Sequence, residues 1–243
     1  VAALIHARSD EIIFTSGATE SINLAILGTQ RGIRAKEPAR KVKILTSAIE
    51  HRATLDPIRM LEQEAQMEAD VLNVEKDGTL ETKKLLAHCD ANTAFVSLMF
   101  GNNEIGSVFP LTEIGCELRK RRILFHCDAA QAAGKLPLDV TELGVDLMSL
   151  YAHKIYGPKG VGALYVRREL PDRLTPLLFG GGHEQGLRAG TLNVAGIVGF
   201  GKAAELAKAE LSAERDRLDS LSARLLNRLR DSVPSLRLNG PVA

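Results

Sequence analysis

Lys154 and Asp128 are the two residues whose types and positions point most directly to chemistry. Lys154 lies in a polar turn between two apolar runs, residues 147–150 and 161–166, and both runs are typical of buried strands. A lysine in such a turn is partly shielded from water. Burial lowers the pKa of an amine, which can then form a Schiff base with a carbonyl group. The alternative is an ordinary surface lysine, because most lysines are exposed.

Asp128 makes the first interpretation stronger. It closes the apolar run 123–128 (ILFHCD), at the carboxyl end of a predicted buried strand. Carboxylates at that edge of a parallel sheet face the crevice where ligands bind. Pyridoxal phosphate needs a lysine for its aldehyde and an acid that keeps its ring nitrogen protonated. A strand-end aspartate followed by a turn lysine supplies that pair.

Two segments, 125–131 (FHCDAAQ) and 153–160 (HKIYGPKG), resemble the cysteine desulfurase family of pyridoxal-phosphate enzymes, within the class V aminotransferase group. The resemblance extends over nearly the whole chain. It implies the large domain of a fold type I transferase, with pyridoxal 5'-phosphate held on Lys154. It also implies conversion of L-cysteine to L-alanine. The persulfide sulfur left on the enzyme would serve sulfur-acceptor or scaffold proteins of iron–sulfur cluster assembly or tRNA thiolation.

A phosphate seat is predicted near the start of the chain. Residues 10–15 read as a short strand, and 16–20 (SGATE) turn into a helix that runs to about residue 27. Amide hydrogens at a helix start converge on one point and attract anions. Gly17, Ala18 and Thr19 form this turn, and the family's Gly-Ala-Thr stands in the same place. The motif alone is weak, since many strand-to-helix turns use such residues.

The resemblance assigns further roles. His51 would stack on the pyridine ring and exchange protons with the substrate amine, although it could simply cap a helix over 54–64. Asn103 and Gln131 would hydrogen-bond the phenolic oxygen of the cofactor. His153 would help to bind the phosphate. Glu104, beside Asn103, would be structural.

These residues imply a common architecture. Thr19, His51, Asn103 and Asp128 each follow a predicted strand, and helical patterns separate the strands. Alternating strands and helices predict an α/β fold with a mainly parallel sheet and helices on both faces. Polar residues gathered at the carboxyl ends of the strands predict a single crevice.

Two units are predicted along the chain. Residues 1–192 would form the cofactor-binding large domain, with its N-terminal part missing. Residues 193–243 would form a long connecting helix and the beginning of a smaller domain. The helix carries leucines at three- and four-residue steps: Leu211, Leu218, Leu221, Leu225 and Leu229. In the family, a glycine-rich loop like residues 178–191 reaches the partner's site, so Thr191 would contact the partner's cofactor phosphate in a homodimer with shared sites.

Composition sets the remaining limits. The 243 residues are 45% hydrophobic and carry a formal charge of +1, so nucleic-acid binding is not expected. No apolar run approaches the ~18 residues of a membrane span, so none is expected. Cys89, Cys116 and Cys127 form no metal or disulfide pattern, and each is expected to be apolar filler. No metal site is predicted. A reducing, cytoplasmic location is expected, with an organelle as the alternative.

The sequence departs from the family in two ways. The sulfur-accepting cysteine and the arginine that holds the substrate carboxylate lie beyond the long helix in the family, so we expect them outside this segment. Tyr151 stands where the family has a small hydroxyl residue near the phosphate. Its ring could fill a core gap or push the phosphate outward. Another class V reaction, such as a transaminase, lyase or epimerase, and an inactive truncated copy remain alternatives.

Overall fold

The computed structural model describes residues 1–170 and 174–241, and seven strands form its central sheet. The strands are β1 (Ile12–Thr15), β2 (Lys43–Ser47), β3 (Glu68–Leu72), β4 (Thr93–Met99), β5 (Leu124–Asp128), β6 (Leu147–Tyr151) and β7 (Gly162–Val166). Their order across the sheet is β1-β7-β6-β5-β4-β2-β3.

Strand direction explains why distant turns meet. The strands from β2 to β6 pair in parallel, whereas β7 is antiparallel to both β6 and β1. Strand β1 therefore runs in the same direction as β6, although its only sheet neighbour among the described strands is antiparallel to it. The carboxyl ends of β1 and of the parallel strands lie at one edge of the sheet. The prediction of a mainly parallel sheet is confirmed.

Six α-helices accompany the sheet in the part of the chain that the structure describes. They are α1 (Ala18–Asn23), α2 (Thr29–Lys36), α3 (Arg52–Gln63), α4 (Thr82–His88), α5 (Leu111–Lys120) and α6 (Val194–Ser232). A π-helical turn, Leu24–Gly28, joins α1 to α2 in one continuous segment. The predicted helix end near residue 27 is thus wrong. The carbonyl of Gly28 accepts a hydrogen bond from Thr175 N at 3.0 Å, and a Cβ on Gly28 would lie 2.8 Å from the Thr175 carbonyl.

Alternate residues of the central strands enter two different hydrophobic clusters. Leu45 and Val96 belong to one cluster, and their neighbours Ile44 and Phe95 belong to the other. Because successive side chains of a strand point to opposite faces, the two clusters cover the two faces of the sheet. Helices on both faces are confirmed.

Other details differ from the sequence-based expectations. The first residues form a short 3-10 turn, Ala2–Ile5. Cys127 is buried in the core and Cys89 is half-buried, but Cys116 is exposed on α5, so its interpretation as filler is wrong. The reason is that Cys116 occupies the outer face of α5, whereas Ile114 and Leu118 face inward.

Helix α6 confirms the predicted long helix, and the side chain of Asn193 caps it by accepting a hydrogen bond from Gly196 N at 3.0 Å. Leu218, Leu221, Leu225 and Leu229 are 39–60% exposed, so their face is uncovered in this chain. The division into a large domain and the start of a smaller one stays a prediction. No helix within the described residues has the length and apolar character that a membrane span requires.

The packing of α5 is tight at Gly115, and Gly115→Ala should be strongly destabilising. A Cβ there would lie 2.0 Å from the backbone oxygen of Leu143, which cannot move as a side chain can. We expect a loss of about 3 kcal/mol, or about 10 °C in Tm, measured by thermal unfolding. Gly201→Ala, in α6 with nothing within 4 Å of the added atom, is the control and should stabilise by up to ~1 kcal/mol.

Candidate active site

A cleft of about 420 Å³ opens at the edge of the sheet where β1, β2, β4, β5 and β6 end. Its lining residues are Ala18, Thr19, Ile22, His51, Met99, Gly101, Asn103, Glu104, Asp128, Ala130, Gln131, Tyr151, His153 and Lys154. All the predicted site residues except Gly17 and Thr191 line this cleft. The volume lies within the range of sites that bind small molecules or cofactors.

Asp128 is the buried acid of the cleft, with 6% of its surface exposed. Its Oδ1 accepts a hydrogen bond from Ala130 N at 2.9 Å, which fixes the carboxyl at the end of β5. Burial raises the pKa of Asp128, and this outweighs the Ala130 hydrogen bond and the charge of His51, which lower it. A cationic partner in the cleft would reverse that shift, since it favours the ionised carboxylate.

Lys154 lies in a 3-10 turn, Ala152–Ile155, directly after β6, and it is half-buried. It lines the cleft and also a groove of about 310 Å³ along α6. Lys135 is its neighbour: burial and the charge of Lys154 both lower the pKa of Lys135, whose Nζ donates to Gln131 Oε1 at 3.4 Å. The sequence did not draw attention to Lys135, because it sits outside both motifs.

The turn before α1 is held by its own hydrogen bonds and packs closely against Gly162 at the start of β7. Thr15 Oγ1 donates to the carbonyl of Gly17 at 3.1 Å, and the Glu20 carboxylate accepts from Ser16 N at 2.8 Å. A Cβ on Gly162 would lie 2.7 Å from the Gly17 backbone. Gly17 is therefore buried beneath the cleft wall, while Ala18 and Thr19 line the cleft at the start of the helix.

Tyr151 covers this turn. Its ring lies beside Gly17, where an added Cβ would be 3.2 Å from the Tyr151 Cε2 atom. It also makes an edge contact with the ring of His153, with 5.6 Å between ring centroids. The ring thus forms part of the cleft wall and packs against the buried Gly17, and its effect on a bound phosphate stays a prediction. Glycine at position 17 leaves the room that the ring uses.

His51 caps a helix and also lies at the cleft, and its stacking on a cofactor ring stays a prediction. It is the N-cap of α3, and its Nδ1 accepts a hydrogen bond from Ala53 N at 3.0 Å. It also lines the cleft. Because Nδ1 is an acceptor here, the neutral ring carries its proton on Nε2.

The two asparagines after β4, Asn102 and Asn103, have different environments. Asn102 is buried, its Oδ1 accepts from the amides of Glu104 and Ile105, and its Nδ2 donates to the Ile49 carbonyl at 3.0 Å. Asn103 is exposed and lines the cleft. Glu104 also lines the cleft and is exposed, so the expectation of a structural role for its side chain is not supported.

Thr191 does not lie with the other predicted site residues. It is exposed and is not among the residues that line the cleft. The loop that carries it is anchored to the phosphate-seat region of the same chain, because Arg188 Nε lies 2.8 Å from Glu20 Oε1. Contact of Thr191 with a partner subunit stays a prediction.

Glu50 is a buried acid that the sequence-based reasoning passed over. It is 6% exposed, and burial together with the charge of Asp128 raises its pKa to about 8. Its position beside His51 was the only available signal, since a glutamate in a strand-to-helix turn is ordinarily a surface residue.

The family is decided by a match over residues 1–243 to the model described as aminotransferase class-V. The chain belongs to the aminotransferase class-V family. Its members are pyridoxal-phosphate enzymes, which agrees with the resemblance found in the sequence.

Similar proteins point within this class-V family to desulfurases. The chain is 51% identical to the cysteine desulfurase IscS of Anaeromyxobacter sp. (strain Fw109-5), over 100% of this chain and 59% of that protein. The structure of DndA from Streptomyces lividans matches with a TM-score of 0.89 and 39% identity, over 98% of this chain and 66% of that one. A structure of SspA in complex with cysteine matches with a TM-score of 0.79 and 40% identity, over 84% and 58%. The chain therefore spans about 59% of the length of that desulfurase relative.

Proposed function

We propose that this chain carries the pyridoxal-phosphate site of a cysteine desulfurase, which converts L-cysteine to L-alanine and retains the sulfur as a persulfide. The observation that carries the proposal is the pairing of Lys154 with the buried Asp128 across one cleft. The identity to a desulfurase and the similarity to a structure with bound cysteine support the choice of substrate.

The residues present fit the cofactor. An amine, a buried acid and a helix start converge on a cleft of about 420 Å³. When bound, pyridoxal phosphate acts as an electron sink for bonds at the α-carbon of an amino acid. Lys154 Nζ would hold it, and the Asp128 carboxylate would accept a hydrogen bond from the protonated ring nitrogen and so keep that nitrogen protonated. Asn103 and Gln131 would donate to its phenolic oxygen.

The remaining residues would orient the cofactor and move protons. Gly17, Ala18, Thr19 and His153 would hold the phosphate, with Thr191 of the partner subunit completing the seat in a homodimer. His51 would cover one face of the ring and present the proton on its Nε2 atom to the substrate. The Lys154 amine would accept and return a proton at Nζ during turnover.

Sulfur transfer needs a thiolate that attacks the substrate sulfur, so that an S–S bond forms as the carbon–sulfur bond breaks. Cys89, Cys116 and Cys127 are all described by the structure, and none lines the cleft. Cys127 is buried, and burial raises its pKa well above the ordinary value. We therefore propose an acceptor cysteine outside this segment. The persulfide would pass to acceptor or scaffold proteins in a cytoplasmic or organellar compartment.

The test is direct. Purified protein is mixed with pyridoxal phosphate, its visible absorption is recorded before and after borohydride reduction, and the modified peptide is mapped. Attachment at Lys154, followed by alanine formation from cysteine, supports the proposal. Attachment without any alanine, in a preparation that is supplied with a thiol, would favour another class V reaction. A chain that never takes up the cofactor would support the inactive copy.

Tyr151 provides a second test of the cofactor site, because its ring occupies space beside Gly17, where the phosphate would bind. Tyr151→Ser should open this space and place a short hydroxyl near the helix start. We expect about tenfold tighter binding of pyridoxal phosphate, since a hydrogen bond to a charged group contributes ~1.5–3 kcal/mol and part of that offsets lost packing. Affinity is measured by absorbance titration. Tyr151→Phe is the control; if both variants weaken binding equally, the Tyr151 hydroxyl itself serves the phosphate.

A further inference from the structure

Glu50 is buried and does not line the cleft. It lies in the turn between β2 and α3, and its Oε1 accepts a hydrogen bond from Ser47 Oγ at 2.6 Å. Its Oε2 is fully buried and has no hydrogen-bond partner among the described residues. The Met99 amide lies close enough to favour the ionised form, but no bond of ordinary geometry reaches Oε2 from it. A carboxylate in this position would be poorly solvated, which favours the protonated acid.

Met99 is a common neighbour of Glu50 and Asp128. Met99, whose amide approaches Glu50, pairs directly with Asp128 across β4 and β5. Burial raises the pKa of both carboxyl groups, and the charge of Asp128 raises that of Glu50 further. Two adjacent buried carboxyl groups cannot both ionise at low cost, so they titrate as a pair.

Three other features define the electrostatics around this pair. His51 begins α3 and faces Asp128, whose pKa its positive charge would lower. Cys127, on β5, has a pKa raised by burial and then by Asp128 and Glu50. Ser47 is the hydroxyl that stabilises an ionised Glu50. Asp128 lines the cleft and Glu50 does not, so a ligand in the cleft meets Asp128.

We propose that Glu50 is a positioning residue that acts through Asp128: the two form a buried carboxyl pair with one negative charge at neutral pH, and neutral Glu50 leaves that charge on Asp128, facing the cleft. The consequence for a cationic ring nitrogen in the cleft rests on the proposed function. Because the cation would favour ionisation of Glu50, cofactor binding and loss of the Glu50 proton are linked.

The charge pair is tested first in protein without cofactor. Infrared difference spectra between pH 6.5 and 9.5 should show a protonated carboxyl band that is lost with a midpoint near pH 8, as the pKa of Glu50 predicts. The band should be absent in Glu50→Gln, which keeps the shape but cannot ionise. Ser47→Ala should move the midpoint upward, because it removes a bond to the ionised form. Glu62→Gln, exposed on α3, is the control and should leave the spectrum unchanged.

Unfolding gives an independent readout. The pKa of Glu50 is raised in the folded chain from an ordinary value of 4.5 to about 8, so the folded state binds this proton more tightly than the unfolded state does. Its contribution to stability is present below pH 4.5 and is lost as pH rises towards 8. The unfolding constant of the wild type, relative to that of Glu50→Gln, should therefore rise by up to about tenfold per pH unit in that window. A ratio independent of pH would overturn the pair.

The final arm measures pyridoxal-phosphate affinity by absorbance titration at several pH values. The ratio of wild-type to Glu50→Gln affinity should be constant below about pH 7 and rise at least threefold by about pH 9, since ionised Glu50 attracts a cationic ring. A ratio that stays constant throughout, in proteins that bind the cofactor, would falsify the positioning role. If the wild type does not bind at all, the proposed function fails, and the infrared and unfolding measurements still decide whether Glu50 keeps its proton at neutral pH. The same infrared measurement on Asp128→Asn decides the pair, because loss of the Asp128 charge should move the midpoint below pH 8.

Discussion

Lys154→Ala should lose all borohydride-stable attachment of pyridoxal phosphate, and any turnover of cysteine should fall by about 10²–10⁴-fold. The first effect is absolute because the link requires the Nζ atom. The second reflects loss of a positioned acid–base group, for which factors of this size are typical. The fold should survive, since Lys154 is half-buried in a short turn and its side chain makes no hydrogen bond to the residues that the structure describes. Absorption spectra and peptide mapping measure the attachment, alanine assays measure turnover, and thermal unfolding checks the fold.

Lys159→Ala is the matched control for Lys154, because it is an exposed lysine in the segment that connects β6 to β7. Its attachment stoichiometry should equal that of the wild type. Label that shifts to Lys135 in the Lys154 variant would show that a neighbouring amine can enter the site. If the Lys154 and Lys159 variants both keep the wild-type amount of label, the attachment is non-specific, and the assignment of Lys154 is wrong.

The sequence was sufficient to predict the sheet and most of the cleft because the local patterns agree with the fold. Each of Thr19, His51, Asn103 and Asp128 follows an apolar run, and the structure places all four at one cleft. The patterns could not predict the direction of β7. Because β7 is antiparallel and lies between β6 and β1, β1 is an edge strand, and the turn after β1 still lies at the same cleft. Pairing between segments far apart in sequence decides that arrangement.

The residues that were missed share a different property. Glu50 and Lys135 derive their altered pKa values from burial and from charges on other segments. The residues that are adjacent in the sequence do not reveal such an environment. Tyr151 was recognised as unusual, but its place on the cleft wall depends on the missing side chain of Gly17, and only the packed structure shows this.

Asp128→Asn should weaken pyridoxal-phosphate binding by about 10- to 100-fold, because a hydrogen bond to a charged group contributes ~1.5–3 kcal/mol. Asparagine preserves the bond from Ala130 N to Oδ1, so the turn after β5 should keep its shape. What is lost is the negative charge that faces the ring nitrogen. Absorbance titration measures the affinity. The matched control is Glu104→Gln, an exposed acid on the same cleft, which should change the affinity less than threefold because water screens its charge.

The same variant should make the cofactor-free protein more stable above about pH 4. Burial raises the pKa of Asp128 from its ordinary value of 3.8, so its ionisation costs stability as pH rises through that value towards the folded pKa. Asparagine removes this cost. It also removes the charge that raises the pKa of Glu50, which should then titrate below pH 8. Weaker cofactor binding together with a more stable apoprotein is characteristic of a residue kept for binding. Weaker binding with lower stability would instead make Asp128 part of the scaffold.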